Sequence, residues 1–360
     1  MAVSSPRIVV ITGASAGVGR AAALAFARRG DRLALIARGK PGLEATAREI
    51  GLLGGSAMVI VADVADDHQV REAAKAVEEK LGPIDIWVNN AMVTVFSSAS
   101  EMSAEEYRRV TEVSYLGAVY GTLAALEYMR PRNRGTVIQV GSALAHRGIP
   151  LQSAYCAAKF ALRGFTESLR VELMYESSAI HLTMVQLSAL NTPQFNWARH
   201  RLTGRPQPLP PIFQPEVAAS AIVWSSLHKR RELFVGFPAL KVILGNKLFP
   251  NLVDWYACRQ AVDGQVDKSL PAPGAVRPDN LFAPVDCNAG AHGRFDRRAR
   301  ASSAQLLASQ YRLPLLGLLA LTTVIALSAT RAVTTPSLPK PLPARTGTAR
   351  HLFNWLRGRH

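Results

Sequence analysis

Short apolar runs alternate along the chain with longer stretches in which apolar residues recur every three or four positions. The runs predict strands at residues 7–11, 33–37, 57–62, 84–89, 136–140, 181–187 and 232–235. The longer stretches predict helices at residues 19–29, 70–81, 104–129, 154–174 and 215–227. This alternation predicts an α/β fold with a doubly wound parallel sheet covered by helices on both faces. Ligands bind such sheets at the carboxyl ends of the strands.

The pattern changes after the last predicted strand. Residues 1–240 form the expected single catalytic domain, and the rest forms a C-terminal extension. Residues 241–264 are apolar and aromatic and predict a helical cover for the substrate cleft, with a membrane-surface contact as the alternative. Residues 265–312 contain prolines and an arginine cluster, and this composition predicts an exposed linker with little core.

A run of 18 uncharged residues, 313–330, lies between Arg312 and Arg331. At ~1.5 Å per residue a helix of this length spans about 27 Å, which is near the lower limit for crossing a bilayer. We predict a single transmembrane helix, and a helix packed on the catalytic domain is the alternative. Residues 331–360 then form a basic tail.

The net charge of +16 is concentrated in the C-terminal region, because residues 275–360 hold 12 Lys or Arg and 3 Asp or Glu. Basic residues beside an apolar run favour an anionic membrane surface over a nucleic acid as partner. The three cysteines lack the spacing of metal ligands and favour a reducing compartment. We therefore expect a cytoplasmic active site, a membrane contact through the C-terminal segment, no nucleic-acid partner and no metal.

Two motifs carry candidate chemistry. Tyr155 and Lys159 are four residues apart in a predicted helix, so their side chains share one face. A nearby ammonium lowers the pKa of a phenol, which is otherwise about 10, and so assists proton transfer near neutral pH. Gly13, Gly17 and Gly19 join the first strand to the first helix, where such a turn brings a pyrophosphate to the helix N-terminus.

Together with Ser142 and the Asn89-Asn90-Ala91 segment, these motifs resemble the short-chain dehydrogenase/reductase family over roughly residues 6–240. The resemblance implies a Rossmann-type fold and hydride transfer between a nicotinamide cofactor and a carbonyl or alcohol. It also implies that Tyr155 is the general acid or base, that Ser142 binds the substrate oxygen, and that Lys159 bonds the cofactor ribose.

The resemblance extends to two further features. Ser114 stands where the family has an asparagine that binds a relay water largely through its backbone carbonyl, so Ser114 is our fourth candidate catalytic residue. Family members commonly pair through the two long helices that correspond to residues 104–129 and 154–174. A homo-oligomer is therefore expected.

Arg38 is the main candidate for cofactor selectivity. It follows the second strand, where a carboxylate would bind the ribose of NAD, and an arginine accommodates the 2′-phosphate of NADP instead. We predict NADP(H) rather than NAD(H), with Ser15 and Lys40 assisting. The resemblance implies further cofactor contacts at Val18, Asp63, Val64, Asn90, Ala91 and Thr192. Two departures from the family pattern are Met92 in place of a glycine and Ser188-Ala189 in place of Pro-Gly.

Residues 193–213 lie where the family closes over its substrate. They carry Phe195, Trp197 and several prolines, which favours a bulky apolar substrate. One alternative function is a membrane-tethered dinucleotide-binding scaffold with little turnover, which the departures at Met92, Ser114 and Ser188-Ala189 favour. Another is an epimerase or lyase on the same fold. The intact Ser142, Tyr155 and Lys159 favour the oxidoreductase.

Overall fold

A seven-stranded parallel sheet forms the centre of the computed structural model, which describes residues 6–271 and 278–312. Its strands are β1 (Ile8–Thr12), β2 (Arg32–Ala37), β3 (Ala57–Val61), β4 (Ile84–Asn89), β5 (Thr136–Ser142), β6 (His181–Leu187) and β7 (Glu232–Val235). They lie in the order β7-β6-β5-β4-β1-β2-β3, and every pair is parallel. The strand order reverses between β1 and β4, so a crevice opens there at the carboxyl ends of the strands.

Eleven α-helices occur in the described part of the chain. They are α1 (Gly17–Ala27), α2 (Lys40–Leu52), α3 (Asp67–Lys80), α4 (Ala104–Thr111), α5 (Gly117–Arg132), α6 (Ser153–Tyr175), α7 (Gln194–Trp197), α8 (Pro215–Ser225), α9 (Phe237–Leu248), α10 (Pro250–Gly264) and α11 (Ala304–Gln310). Helices α3, α5 and α6 pack on the face of β1 that carries Ile8 and Val10. Helices α1, α2, α8 and α11 pack on the opposite face, which carries Val9 and Ile11. The predicted doubly wound α/β architecture is confirmed.

The helix predicted at residues 104–129 is interrupted. A π-helical turn, Glu112–Leu116, separates α4 from α5. Gly117 follows the turn, and a Cβ there would lie 2.7 Å from Val64 Cγ2, so the helix passes very close to the loop after β3. Helix α2 was not predicted, because Pro41 and Gly42 in its first turn break the helical pattern.

Three short strand pairs connect the loops at the carboxyl end of the sheet. Val95–Phe96 pairs with Arg199–His200, Gly204–Pro206 with Val266–Pro271, and Ile212–Phe213 with Ala299–Arg300. Short 3-10 turns occur at Ala143–Ala145 and Asp296–Arg298. The last two pairs join the region after β6 to residues beyond 264.

The exposed linker predicted at residues 265–312 is wrong for residues 278–310, which belong to the same compact unit as the sheet. Leu281, Phe295 and Leu306 are at most 3% exposed. The arginine cluster misled the prediction, because Arg294 donates to the carbonyl oxygens of Phe195 and Pro206, at 3.1 and 2.7 Å, instead of facing only solvent.

The predicted apolar cover consists of α9 and α10, and it leaves large side chains in solvent. Phe249, Trp255 and Tyr256 are 61%, 53% and 62% exposed. No helix within residues 6–271 and 278–312 is long and apolar enough to cross a membrane. The predicted transmembrane segment 313–330 and the basic tail 331–360 lie outside the described residues.

Candidate active site

The glycine turn between β1 and α1 has the conformation that only glycine adopts readily. Gly13 and Gly17 have φ angles of +68° and +56°. A Cβ at Gly19 would lie 2.6 Å from Asn90 Nδ2 and closer still to the carbonyl oxygen of Gly13. The Asn90 side chain holds the turn from the other side, because its amide donates to the Thr12 carbonyl oxygen at 2.9 Å. The turn is thus a cradle into which a backbone-binding pyrophosphate fits.

A cleft beside this turn brings together ten of the residues predicted to hold the dinucleotide, whereas Gly19, Tyr155 and Lys159 are not part of its lining. Its lining includes Gly13, Ser15, Gly17, Val18, Arg38, Asp63, Val64, Asn90, Ala91 and Thr192. Met92, which replaces the family glycine, also faces the cleft. Lys40 is not part of the lining; its exposed ammonium pairs with Glu44 at 3.6 Å, so the predicted assistance to Arg38 finds no support.

The Arg38 guanidinium lies half-buried at one end of the cleft. Burial lowers its pKa, and the nearby Asp63 carboxylate acts in the opposite direction. Asp63 is itself bonded to Arg109, a residue that sequence reasoning missed because no motif marks it. Arg38 forms no ion pair with any residue in the described ranges. An anionic group at this end of the cleft would therefore compensate a buried positive charge.

A segment far away in sequence completes the cleft. Asn280, Pro284, Val285 and Cys287 line it opposite the glycine turn. Arg38 donates to the carbonyl oxygens of Leu281 and Phe282, at 3.2 and 3.0 Å, and to that of Asn280. No sequence signal pointed to these residues, since backbone carbonyls carry no motif.

Ser142, Tyr155 and Lys159 lie together at the carboxyl end of β5. Ser142 is the last residue of the strand, and its hydroxyl accepts the Leu144 N–H at 3.1 Å. Tyr155 is on the first turns of α6, and Lys159 is one turn later on the same face. The Lys159 ammonium donates to the Val140 carbonyl oxygen at 2.8 Å and lies 5.6 Å from the centroid of the Tyr155 ring.

The electrostatics of this group differ from the sequence expectation. Burial raises the pKa of Tyr155, and a hydrogen bond with the Ser142 side chain only partly opposes this effect. Burial also lowers the pKa of Lys159 to about 8. The net shift of the Tyr155 pKa is therefore upward, opposite to the expected lowering, because desolvation by burial is its largest cause.

Ser114 lies in the π-helical turn and is 1% exposed. Its hydroxyl accepts the Val93 N–H at 3.0 Å and donates to the Val93 carbonyl oxygen at 2.9 Å. The side chain thus holds the loop after β4, and Val93 in that loop lines the cleft. The predicted catalytic role of Ser114 therefore rests on its backbone and not on its hydroxyl.

Residues 7–202 match the family model described as short chain dehydrogenase. The chain belongs to the short-chain dehydrogenase family. This agrees with a glycine turn, a serine at the end of β5 and a Tyr-Lys pair on α6, all at one edge of a Rossmann-type sheet. The protein is an oxidoreductase of the short-chain type with a nucleotide-binding fold.

Among curated relatives, this short-chain dehydrogenase is similar to the uncharacterized oxidoreductase YxnA of Bacillus subtilis, with 32% identity over 290 residues that cover 80% of each chain. It is 33% identical to estradiol 17-beta-dehydrogenase 11 of Mus musculus over 231 residues, which cover 63% of this chain and 74% of the relative. It is also 33% identical to 3-dehydrosphinganine reductase of Danio rerio over 192 residues, which cover 52% and 57%.

Solved structures resemble the short-chain dehydrogenase in fold and sequence. An alcohol dehydrogenase from Thermococcus sibiricus, complexed with 5-hydroxy-NADP, matches with a TM-score of 0.56 and 28% identity, covering 64% of this chain and 96% of that one. A short-chain dehydrogenase from Streptomyces avermitilis matches with a TM-score of 0.60 and 26% identity, covering 72% and 99%.

Proposed function

We propose that this short-chain dehydrogenase transfers a hydride between NADP(H) and the carbonyl or alcohol group of an apolar small molecule. The observation that carries the proposal is the grouping of Ser142, Tyr155 and Lys159 at the end of β5. This strand pairs with β4, and residues 90–93, which follow β4, line the dinucleotide cleft. A pure dinucleotide-binding scaffold has no use for a buried lysine beside a partly buried phenol, since a buried ammonium is costly to fold around.

In the reductive direction, NADPH supplies the hydride when it is bound. Tyr155 donates its phenolic proton to the substrate oxygen as negative charge develops there. Because burial raises the pKa of Tyr155, the proton stays on the phenol at neutral pH until it is needed. Ser142 donates a hydrogen bond to the same oxygen and orients it. Lys159 stabilises the phenolate that remains, because its ammonium lies 5.6 Å from the centroid of the Tyr155 ring.

The preference for NADP(H) is supported by Arg38. The Arg38 guanidinium is half-buried and donates to neutral carbonyl oxygens. An anionic ligand would stabilise its charge more than these neutral acceptors do, because hydrogen bonds between charged groups are stronger. Asp63 does not meet this need, because its carboxylate binds Arg109 and the Ala65 N–H. A 2′-phosphate is the part of NADP that NAD lacks and that such a group recognises.

The test compares NADPH with NADH in the native chain and in Tyr155→Phe, on a panel of apolar ketones and aldehydes. We expect turnover with NADPH that Tyr155→Phe reduces by about 10²-fold or more, with NADPH binding retained. Tyr175→Phe is the matched control, because Tyr175 is 92% exposed at the far end of the same helix. Equal turnover in Tyr155→Phe and the native chain would refute the role of Tyr155.

Two further outcomes separate the alternatives. Tight NADPH binding with no turnover on any substrate tested would leave two readings, a scaffold or an enzyme whose substrate is not in the panel. Product formation without stoichiometric release of oxidised cofactor would favour the epimerase or lyase, in which the nicotinamide stays bound through the cycle.

The apolar substrate is supported by position and composition. Trp197 lines the cleft, and the exposed aromatic residues of α9 and α10 follow β7. Phe195, in contrast, packs against Phe96 and Phe295 with ring centroids 5.9 and 5.8 Å away, so it is a core residue and not a substrate contact. Equal kcat/KM for short and long aliphatic ketones would contradict an apolar binding site.

We also propose that the enzyme is a homo-oligomer with a cytoplasmic active site, held at a membrane by residues 313–330. The outer faces of α5 and α6 support pairing, because Leu123, Val171 and Met174 are 42%, 66% and 72% exposed. Val171→Asp should convert an oligomer to monomers in analytical ultracentrifugation. An unchanged sedimentation coefficient would place the contact elsewhere.

A further inference from the structure

Residues 279–296, which we call the strap, cross the dinucleotide cleft. Four of its residues line the cleft together with the glycine turn. The strap is fixed at both ends by buried contacts: Leu281 is fully buried near one end, and Phe295 is 3% exposed near the other. It lies beyond residues 7–202, the part that matches the family model, so its contribution to the site is a property of this chain that the family match does not describe.

The first contact of the strap is with Arg38, the residue proposed to bind the 2′-phosphate. Three consecutive backbone carbonyls, those of Asn280, Leu281 and Phe282, accept hydrogen bonds from the Arg38 guanidinium. Arg109 also donates to the Leu281 carbonyl oxygen, at 3.1 Å. These carbonyl oxygens therefore occupy the guanidinium N–H groups of Arg38 with which an anionic ligand would form hydrogen bonds.

A second contact engages the N-terminus of α1. The Gly290 carbonyl oxygen accepts the Gly17 N–H at 3.1 Å. Backbone N–H groups in the first turn of this helix are the donors that face a pyrophosphate in dinucleotide-binding folds. The neighbouring Asn288 is held in place by Arg20, which is 2% exposed and donates to the Asn288 side-chain oxygen at 2.6 Å.

Side chains anchor the strap outside the cleft. Asp279 pairs with Arg199 at 2.8 Å and accepts the Leu281 N–H at 2.9 Å. At the other end Asn191 accepts the Phe295 N–H at 2.9 Å and donates to Asp296 at 2.8 Å. The strap is thus fixed independently of the cleft, and it presents backbone oxygens to both phosphate-binding positions.

We infer that the strap competes with the dinucleotide at both of these positions and that NADP(H) displaces it, which makes the strap a determinant of cofactor selectivity. This inference rests on the proposed function. The cleft beside the strap has a volume of about 200 Å³, and pockets for drug-sized ligands, which are smaller than a dinucleotide, measure roughly 300–1,000 Å³. A dinucleotide that binds both the Gly17 N–H and the Arg38 guanidinium has to break the hydrogen bonds that the strap makes there.

The exchange of partners at Arg38 decides which dinucleotide displaces the strap more easily. A phosphate forms charge-assisted hydrogen bonds with the guanidinium, and these are stronger than the bonds to three neutral carbonyls. NADP(H) therefore replaces the contacts that it breaks. NAD(H) takes over only the Gly17 N–H. When the strap moves to admit it, the hydrogen bonds between Arg38 and the strap carbonyls are also broken, and NAD(H) has no phosphate to replace them.

Arg38→Ala distinguishes this inference from a simple phosphate receptor. If Arg38 only binds the 2′-phosphate, its removal weakens NADP⁺ and leaves NAD⁺ binding unchanged or slightly weaker, because one positive charge is lost. If Arg38 also holds the strap, its removal tightens NAD⁺. We expect the Kd for NAD⁺ to fall about fivefold, which corresponds to about 1 kcal/mol.

Asp279→Ala loosens the same end of the strap without touching the cleft lining, and Glu106 still pairs with Arg199 to keep the fold. We expect a similar fall in the Kd for NAD⁺. Asp286→Ala is the matched control, because it removes the same charge from an exposed strap residue that forms no anchor in the described structure. Its Kd values should stay within twofold of those of the native chain.

Titration calorimetry with NADP⁺ and NAD⁺ on the full chain and the three variants measures these changes. Hydrogen exchange supplies a readout that is independent of affinity: saturating NADP⁺ should raise exchange at the amides of Asn280 and Gly293, which bond to the carbonyl oxygens of Trp197 and Asn191 outside the strap. Unchanged exchange together with unchanged NAD⁺ affinity in Arg38→Ala and Asp279→Ala would overturn the strap inference and leave the proposed function standing. Failure of all four chains to bind either dinucleotide would overturn both.

Discussion

Lys159 is the residue whose replacement separates stability from catalysis most sharply. It is 3% exposed, and burial lowers its pKa from 10.5 to about 8. At about 1.4 kcal/mol per pH unit, this difference means that the charged lysine costs the folded state about 3 kcal/mol at neutral pH. Lys159→Met removes the charge and keeps the volume, but it also leaves the Val140 carbonyl oxygen without its donor, which costs about 1 kcal/mol. We therefore expect Lys159→Met to raise the free energy of unfolding by about 2 kcal/mol at pH 7 while turnover is lost.

The pH dependence of this gain has a definite sign. Below pH 8 the folded chain holds the charged lysine, and the cost is fully present. Between pH 8 and 10.5 the unfolded chain still binds a proton that the folded chain has released, so the stability of the native chain rises with pH relative to the variant. The advantage of Lys159→Met should shrink across this range and vanish above it.

Urea unfolding of both chains from pH 7 to 10.5 measures the effect, because the difference between the two curves cancels every other titrating group. Lys40→Met is the matched control, since Lys40 is 68% exposed and its replacement should change stability by less than about 0.5 kcal/mol at every pH. A Lys159→Met variant that is less stable than the native chain at pH 7, or a difference that does not depend on pH, would refute the desolvation argument.

Three other outcomes test the description of the site and its surroundings. Gly19→Ala should weaken NADP⁺ binding at least tenfold, or about 1.4 kcal/mol, in titration calorimetry, because its Cβ would press on the Asn90 amide. Gly51→Ala is the control in the same assay, because a Cβ at Gly51 would have no neighbouring atom within 4 Å. Glu106→Ala should lower the free energy of unfolding by about 3 kcal/mol, because Arg199 and Arg201 both lose their bond to a carboxylate that is 2% exposed. Thermal unfolding should show no comparable loss for Glu105→Ala, a change in the exposed neighbour. Removal of residues 313–360 should shift the enzyme from the membrane fraction to the supernatant, and equal sedimentation of both forms would contradict a tether.

The sequence was sufficient for the sheet and the glycine turn because both depend on local patterns. Strands β4, β6 and β7 have the predicted bounds. In β4 and β6 nearly every residue is buried, and an apolar run buried on both faces leaves little freedom in where a strand starts. Arg38 was found because its position after β2 is fixed by topology. The strands, the glycine turn and the position of Arg38 all follow from short local stretches of sequence.

The strap and the pKa values of the site were not predictable in this way. The strap meets Arg38 and Gly17 through backbone carbonyls, which every residue possesses, so no side chain signals the contact. The spacing of Tyr155 and Lys159 correctly gave a shared helix face. It gave no information on desolvation, which depends on the surrounding fold and reverses the expected pKa of the tyrosine.

The separation of the strap from the cleft along the chain has a consequence during synthesis. Arg20 and its partner Asn288 are 268 residues apart. A ribosome that adds ~5–20 residues per second needs roughly 15–50 s to make the chain between them. The glycine turn and Arg38 therefore leave the ribosome long before the carbonyls that later cover them. Thr192 and strands β6 and β7 are also made before the strap, so the strap is the last part of the described cleft lining to be synthesised.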